Sequence, residues 1–191
     1  MAAMQSRMLE LGTPAPDFEL PDVVSGNRIN LGTFAGKKGL LVMFICRHCP
    51  YVVHVRHELA KLGRDYADKS LGIVAISPND PDAYPEDAPE SLKEMALELD
   101  FNFPLCYDES QEVAKAFRAA CTPEFYLFDE NRRLVYRGQL DDSRPRSGKP
   151  VSGKDLRNAI EAMLAGRPVD PDQKPSVGCS IKWRPGNEPN W

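Results

Sequence analysis

Leu40-Leu41-Val42-Met43-Phe44-Ile45-Cys46-Arg47-His48-Cys49-Pro50 decides how this chain folds and where its chemistry sits. The run 40–45 is continuously apolar instead of alternating, the pattern of a strand covered on both faces in a parallel sheet. Val52, Val55, Leu59, Leu62 and Tyr66 follow at 3-4-3-4 spacing, which predicts a helix. Proline is tolerated only in a helix's first turn. On this reading Pro50 starts the helix near Cys46 or Arg47 and seats both cysteines on its N-terminal turn. Cα atoms three apart there are roughly 5–6 Å from one another, within disulfide range. The helix N-terminus and the cationic Arg47 and His48 favour a thiolate. These features predict a redox-active dithiol, with an exposed Cys46 attacking and Cys49 resolving.

The composition narrows the alternatives. A chain of 191 residues with 42% hydrophobic and 27% charged side chains suits one compact domain with a real core. A net charge of −4 gives no basic footprint for nucleic acid. No segment approaches the ~20 apolar residues of a membrane span. Residues 1–17 carry no apolar signal core, so the expected location is cytoplasmic, without a membrane partner. Five cysteines, an odd number with two held close, fit catalysis or metal binding better than a structural disulfide framework.

Outward from the dithiol, residues 13–34 read as a hairpin turning at Ser25-Gly26-Asn27. Leu71 to Ile76 forms a second buried strand. Residues 79–89, with three prolines and four acids, read as a surface loop. A short helix is expected over 90–99, a strand near 103–106, a helix over about 110–119, and a hairpin of Phe125–Phe128 with Leu134–Tyr136. Ser152 and Asp155 suggest a capping box for a last helix ending at Gly166. The order predicts an α/β fold, a central mixed sheet flanked by helices, with an N-terminal β-hairpin. The domain runs over 10–166. A proline-rich tail, 167–191, docks on it, because Val177, Ile181 and Trp183 flank Gly178-Cys179.

Strand, dithiol and helix together resemble the thioredoxin superfamily, and within it the alkyl hydroperoxide reductase/thiol-specific antioxidant (redoxin) branch. Gly12-Thr13-Pro14-Ala15-Pro16-Asp17-Phe18 and Thr122-Pro123, before a strand ending in Asp129, carry the rest of the likeness. The resemblance implies a thioredoxin-like fold and a cis Pro123 that sets backbone beside the dithiol. It assigns supporting positions to Thr122, Pro123 and Glu124 beside Arg47 and His48.

The branch holds peroxidases and disulfide reductases, and this chain departs from the former. Placing the peroxiredoxin PxxxTxxC cysteine on Cys49 puts Val42 at the proline and Cys46 at the threonine. Pro123 falls where the peroxide-activating arginine is expected, leaving Arg47 or Arg118 as substitutes. The expected function is therefore thiol–disulfide exchange with protein or small-molecule disulfides and a thiol reductant, using no cofactor. A thiol-dependent peroxidase is the alternative. The chain departs from thioredoxin too: Leu40 replaces a buried aspartate, so a proton from Cys49 goes to water, Glu124 or His48. A histidine before the second cysteine suggests a potential above thioredoxin's.

Cys121, two residues before Pro123, and Cys179 are candidate additional redox thiols; Cys106 reads as structural. Cys46, Cys49, His54 and His57 raise a zinc or copper-chaperone reading. Four residues between Cys49 and His54 are far fewer than the ~12 of a zinc finger, so no metal is expected. A non-catalytic redox-sensing module is the remaining class.

Overall fold

A computed structural model describes residues 3–191. The chain opens with β1 (Ala3–Gln5), β2 (Glu19–Pro21) and β3 (Arg28–Asn30), then runs through β4 (Gly39–Phe44), α1 (Pro50–Asp65) and β5 (Leu71–Ser77). There follow α2 (Pro89–Glu98), β6 (Leu105–Tyr107), α3 (Glu112–Ala116), β7 (Cys121–Thr122), β8 (Glu124–Asp129), β9 (Leu134–Gly138), α4 (Lys154–Leu164) and β10 (Val177–Ser180). The central sheet has the order β6-β5-β4-β8-β9, parallel from β4 to β6 and antiparallel at β8 and β9. The hairpin β2-β3 forms a two-stranded sheet of its own, and β10 lies between β1 and β7 in a small antiparallel sheet.

The apolar run in β4 is continuous because both of its faces are covered. Leu41, Met43 and Ile45 pack with Val52, Val55 and Leu59 of α1 and with residues of α2 and α4. Leu40, Val42 and Phe44 pack with the hairpin residues Leu20 and Ile29 and with Phe117. Val52, Leu59 and Leu62 are fully buried, and each such side chain contributes about 1.5–3 kcal/mol. Among the described residues no helix is long and apolar enough to cross a membrane.

Several local expectations differ from the structure. The helix starts at Pro50, not near Cys46 or Arg47, and Cys49 is its extended N-cap, φ −67° and ψ 124°. Proline clashes with an α-conformation in the residue before it, so Cys49 stays out of the helix and the dithiol forms the loop leading into it. The acidic segment 79–89 is not simply a surface loop: Asn79, Asp80 and Asp87 are buried. No capping box forms at Ser152. Gly153 is the N-cap of α4, with φ 65°, and Asp141 Oδ2 accepts from the Ser152 and Gly153 amides at 2.7 Å each. Helix α3 is a single short turn, shorter than 110–119, because Arg118 takes a left-handed φ of 51°.

Candidate active site

The register of the parallel strands builds the site. Phe44 lies opposite Ile76, and the Ile45 amide donates to the Ile76 carbonyl at 3.0 Å. The chain leaving β4, which holds the cysteines, therefore runs beside the chain leaving β5, which holds Asn79. On the other side Phe44 pairs with Glu124, bringing Thr122 and the cis Thr122–Pro123 bond against the same loop.

Thr122 touches both sulfurs. Its Oγ1 lies 3.3 Å from Cys46 Sγ, and its carbonyl oxygen 3.3 Å from Cys49 Sγ, which donates to it when protonated. Cys49 Sγ also lies 2.6 Å from Cys179 Sγ on β10. All five cysteines are free and buried, so Cys46 is not the exposed thiol expected from the sequence. A shallow groove lined by Tyr51, His54, Pro123, Phe125 and Val177 opens alongside.

The electrostatics reverse the expected charge. Burial, the Cys49 sulfur and the Asp87 carboxylate hold the Cys46 thiol well above the ordinary range. Cys49 is pulled down to about 5, first by the Cys46 thiol and, against the opposing cost of burial, by the Cys179 thiol and the Val52 and Cys179 amides. The cations credited to Cys46 are engaged elsewhere. Arg47 Nη1 donates to the Ser91 carbonyl at 2.7 Å and pairs with Glu94 at 2.8 Å. His48 Nδ1 lies 2.5 Å from Asp87 Oδ2, and its ring stacks on Tyr84 at 4.8 Å.

Asp87 is the functional residue that sequence reading missed. Fully buried, it accepts from the Arg47 and His48 amides at 2.8 and 3.1 Å and from Asn79 Nδ2 at 2.7 Å, besides the His48 ring. It thus ties the dithiol loop to the segment after β5. The available signal was the parallel pairing itself, which sets residues just beyond β5 beside those just beyond β4.

The remaining expected positions separate. Cys121 faces the Glu124 carboxylate, 3.8 Å away, and burial raises its thiol far above the ordinary range. Burial likewise pushes Cys106 up to about 12. His54 Nε2 lies 3.1 Å from Ser143 Oγ and His57 is exposed, so Cys46, Cys49, His54 and His57 form no common cluster. Cys46, His48 and Asp87 bring one ligand-type atom each within 4.8 Å of one another; the His48 and Asp87 atoms are already bonded to each other. Arg118 is exposed and sits over the Trp191 ring at 5.9 Å.

Glu124 supplies a pH test of this interior. It accepts from the Ala120 and Cys121 amides and from Tyr126 Oη at 2.6–3.1 Å, yet burial raises it from 4.5 to about 7. A carboxyl raised on folding binds more protons folded than unfolded between those values. Its contribution is complete below pH 4.5 and lost as pH rises through 7. Urea unfolding at pH 5 to 8 should show wild-type stability falling by up to about 3 kcal/mol relative to Glu124→Gln. Parallel curves for the two proteins would refute the assignment.

The chain matches the model of the AhpC/TSA family over residues 11–137. It is 54% identical to an uncharacterised conserved protein of Geobacillus kaustophilus in a crystal structure, with a TM-score of 0.95 over 97% of this chain and 98% of that one. It is 26% identical over 124 residues to the thiol-disulfide oxidoreductase ResA of Geobacillus kaustophilus (strain HTA426), covering 63% of this chain and 64% of ResA. A thioredoxin domain of a thiol-disulfide oxidoreductase from Bacteroides vulgatus superposes with a TM-score of 0.63 at 23% identity, over 82% of this chain and 99% of that one. The fold is thioredoxin-like, as the sequence implied.

Proposed function

The chain belongs to the AhpC/TSA family, and on that premise we propose that it is a thiol–disulfide oxidoreductase working through Cys46 and Cys49. The observation that carries the reading is the convergence of both sulfurs on Thr122, with Cys46 Sγ 3.3 Å from its Oγ1 and Cys49 Sγ 3.3 Å from its carbonyl oxygen. A thiolate with a second thiol in contact is what disulfide exchange requires. Cys49 thiolate attacks one sulfur of a substrate disulfide and the other leaves as a thiolate. Cys46 then attacks Cys49, releasing the second substrate thiol and leaving Cys46–Cys49 oxidised. This exchanges the roles assigned from the sequence, because burial first, then the Cys49 sulfur and Asp87, disfavour charge on Cys46. Thr122 and Pro123 position the pair, while Arg47 and His48 hold the loop through Asp87. Substrates are protein or small-molecule disulfides, and a thiol reductant regenerates the dithiol.

A peroxidase needs donors around the peroxide oxygen that becomes negative. Arg47 is committed to α2 and Arg118 to Trp191; neither supports that role. Stopped-flow mixing of the reduced protein should give rapid exchange with model disulfides and hydrogen peroxide consumption near a free thiol's rate. A peroxide rate about a thousandfold above free cysteine would overturn this reading, since that is the scale of acceleration such donors provide.

A further inference from the structure

We propose that Cys179 is a third redox thiol of this site, resolving mixed disulfides on Cys49 and moving the disulfide between Cys46–Cys49 and Cys49–Cys179. The inference rests on the reading of Cys49 as the attacking thiolate. Cys179 is 130 positions along the chain from Cys49, yet the two Sγ atoms are 2.6 Å apart. About 0.5 Å of closure would bring the pair to the ~2.05 Å of a disulfide. Cys49 therefore has two thiol neighbours, Cys46 and Cys179.

The placement of Cys179 is held from both sides. In the pairing of β10 with β7, Cys179 lies opposite Thr122, the residue that contacts both dithiol sulfurs. Gly178 permits the approach: a Cβ there would come within 2.0 Å of the Thr122 carbonyl oxygen. Beyond β10, the Ile181 amide donates to the Ala120 carbonyl. The Lys182 amide donates to Asn79 Oδ1, and the Lys182 carbonyl accepts from Asp80. Asn79 in turn donates to Asp87, which fixes the dithiol loop. One hydrogen-bonded frame thus sets all three sulfurs.

The chemistry balances without another reagent. In a mixed disulfide R–S–S–Cys49, the Cys179 sulfur attacks Cys49 Sγ. The Cys49–Cys179 bond forms, the bond to R–S breaks, and R–S⁻ takes the proton from Cys179. The protein loses two electrons overall and the substrate disulfide becomes two thiols. Attack by Cys46 on Cys49 then transfers the disulfide to Cys46–Cys49, and Cys179 recovers a proton from Cys46. At rest, burial and the neighbouring Cys49 anion push the Cys179 thiol up to about 12. Once Cys49 is in a disulfide that anion is absent, while the favourable influence of Lys182 remains.

The test uses the full chain carrying Cys46→Ala, treated with one equivalent of a dipyridyl disulfide. Two pyridine-thiones per chain and a Cys49–Cys179 cross-linked peptide after alkylation and mass spectrometry are expected. Cys46→Ala with Cys179→Ala should release one thione and keep a stable mixed disulfide on Cys49. One thione from Cys46→Ala, with Cys179 still alkylatable, would overturn the proposal. Should Cys46→Ala fail to fold, Cys46→Ser takes its place with the same two outcomes. If wild-type protein forms no Cys46–Cys49 disulfide and exchanges none, the functional reading fails. The Cys46→Ala cross-link would still report on Cys179 separately.

Discussion

Replacing Cys49 with serine should slow the first thiol–disulfide exchange step by about a hundredfold or more at neutral pH, because reaction requires a thiolate. The remaining Cys46 stays buried beside Asp87, and both features keep it protonated. Cys46→Ser should instead keep a fast first step and lose the Cys46–Cys49 product. The pH profile provides an independent reading. With Cys49 near 5, the wild-type first step should be flat from pH 6 to 9 and decline to half near pH 5. Timed alkylation with peptide mapping checks both results. A fast Cys49→Ser variant labelled at Cys46, with a rate rising towards alkaline pH, would return the attacking role to Cys46.

What was legible in the sequence, and what was not, divides by range. The β4 run and the α1 stripe were readable because one periodicity reports burial on two faces and the other on one. The missing N–H of Pro50 marks a helix start only to within a turn, and the constraint that the proline puts on Cys49 moves that start to Pro50 itself. Ser152 looked like a cap, but Asp141, from a different segment, takes the amides that a local cap would satisfy. Composition made 79–89 look solvated. Four acids among three prolines ordinarily face water, and Asp87 is buried only because backbone and side-chain donors converge on it from the neighbouring loop.

The electrostatic reversal has the same origin. Arg47 and His48 are cation-forming residues at the right positions to lower a neighbouring thiol, and sequence position alone gives them that effect. Their acidic partners, Glu94 and Asp87, come from 47 and 39 residues away. Likewise, β10 is too short to show a strand period, and its pairing with β7 makes a contact that no local pattern encodes. The Cys46–Cys49 pair is local in sequence, whereas Thr122, Asp87 and Cys179, which surround it, come from distant segments.

Asp87 is therefore where a single change should act on both fold and chemistry. Asp87→Ala strands the Arg47 and His48 amides and Asn79 Nδ2 in a buried setting. A cost of about 3–5 kcal/mol is expected, the range for removing one partner of a buried charged network. For a chain of this size that lowers Tm by roughly 10 °C. Asp87→Asn separates the two effects. Its carbonyl oxygen still accepts from the two loop amides, so the stability loss should be smaller, while the negative charge beside Cys46 disappears. Cys46 is then easier to ionise, its alkylation at pH 8 rises, and the preference of the charge for Cys49 weakens. Thermal unfolding together with residue-resolved alkylation measures both. A Cys46 titration unchanged in Asp87→Asn would show that burial and the Cys49 sulfur hold that thiol neutral, and would remove Asp87 from the control of the dithiol.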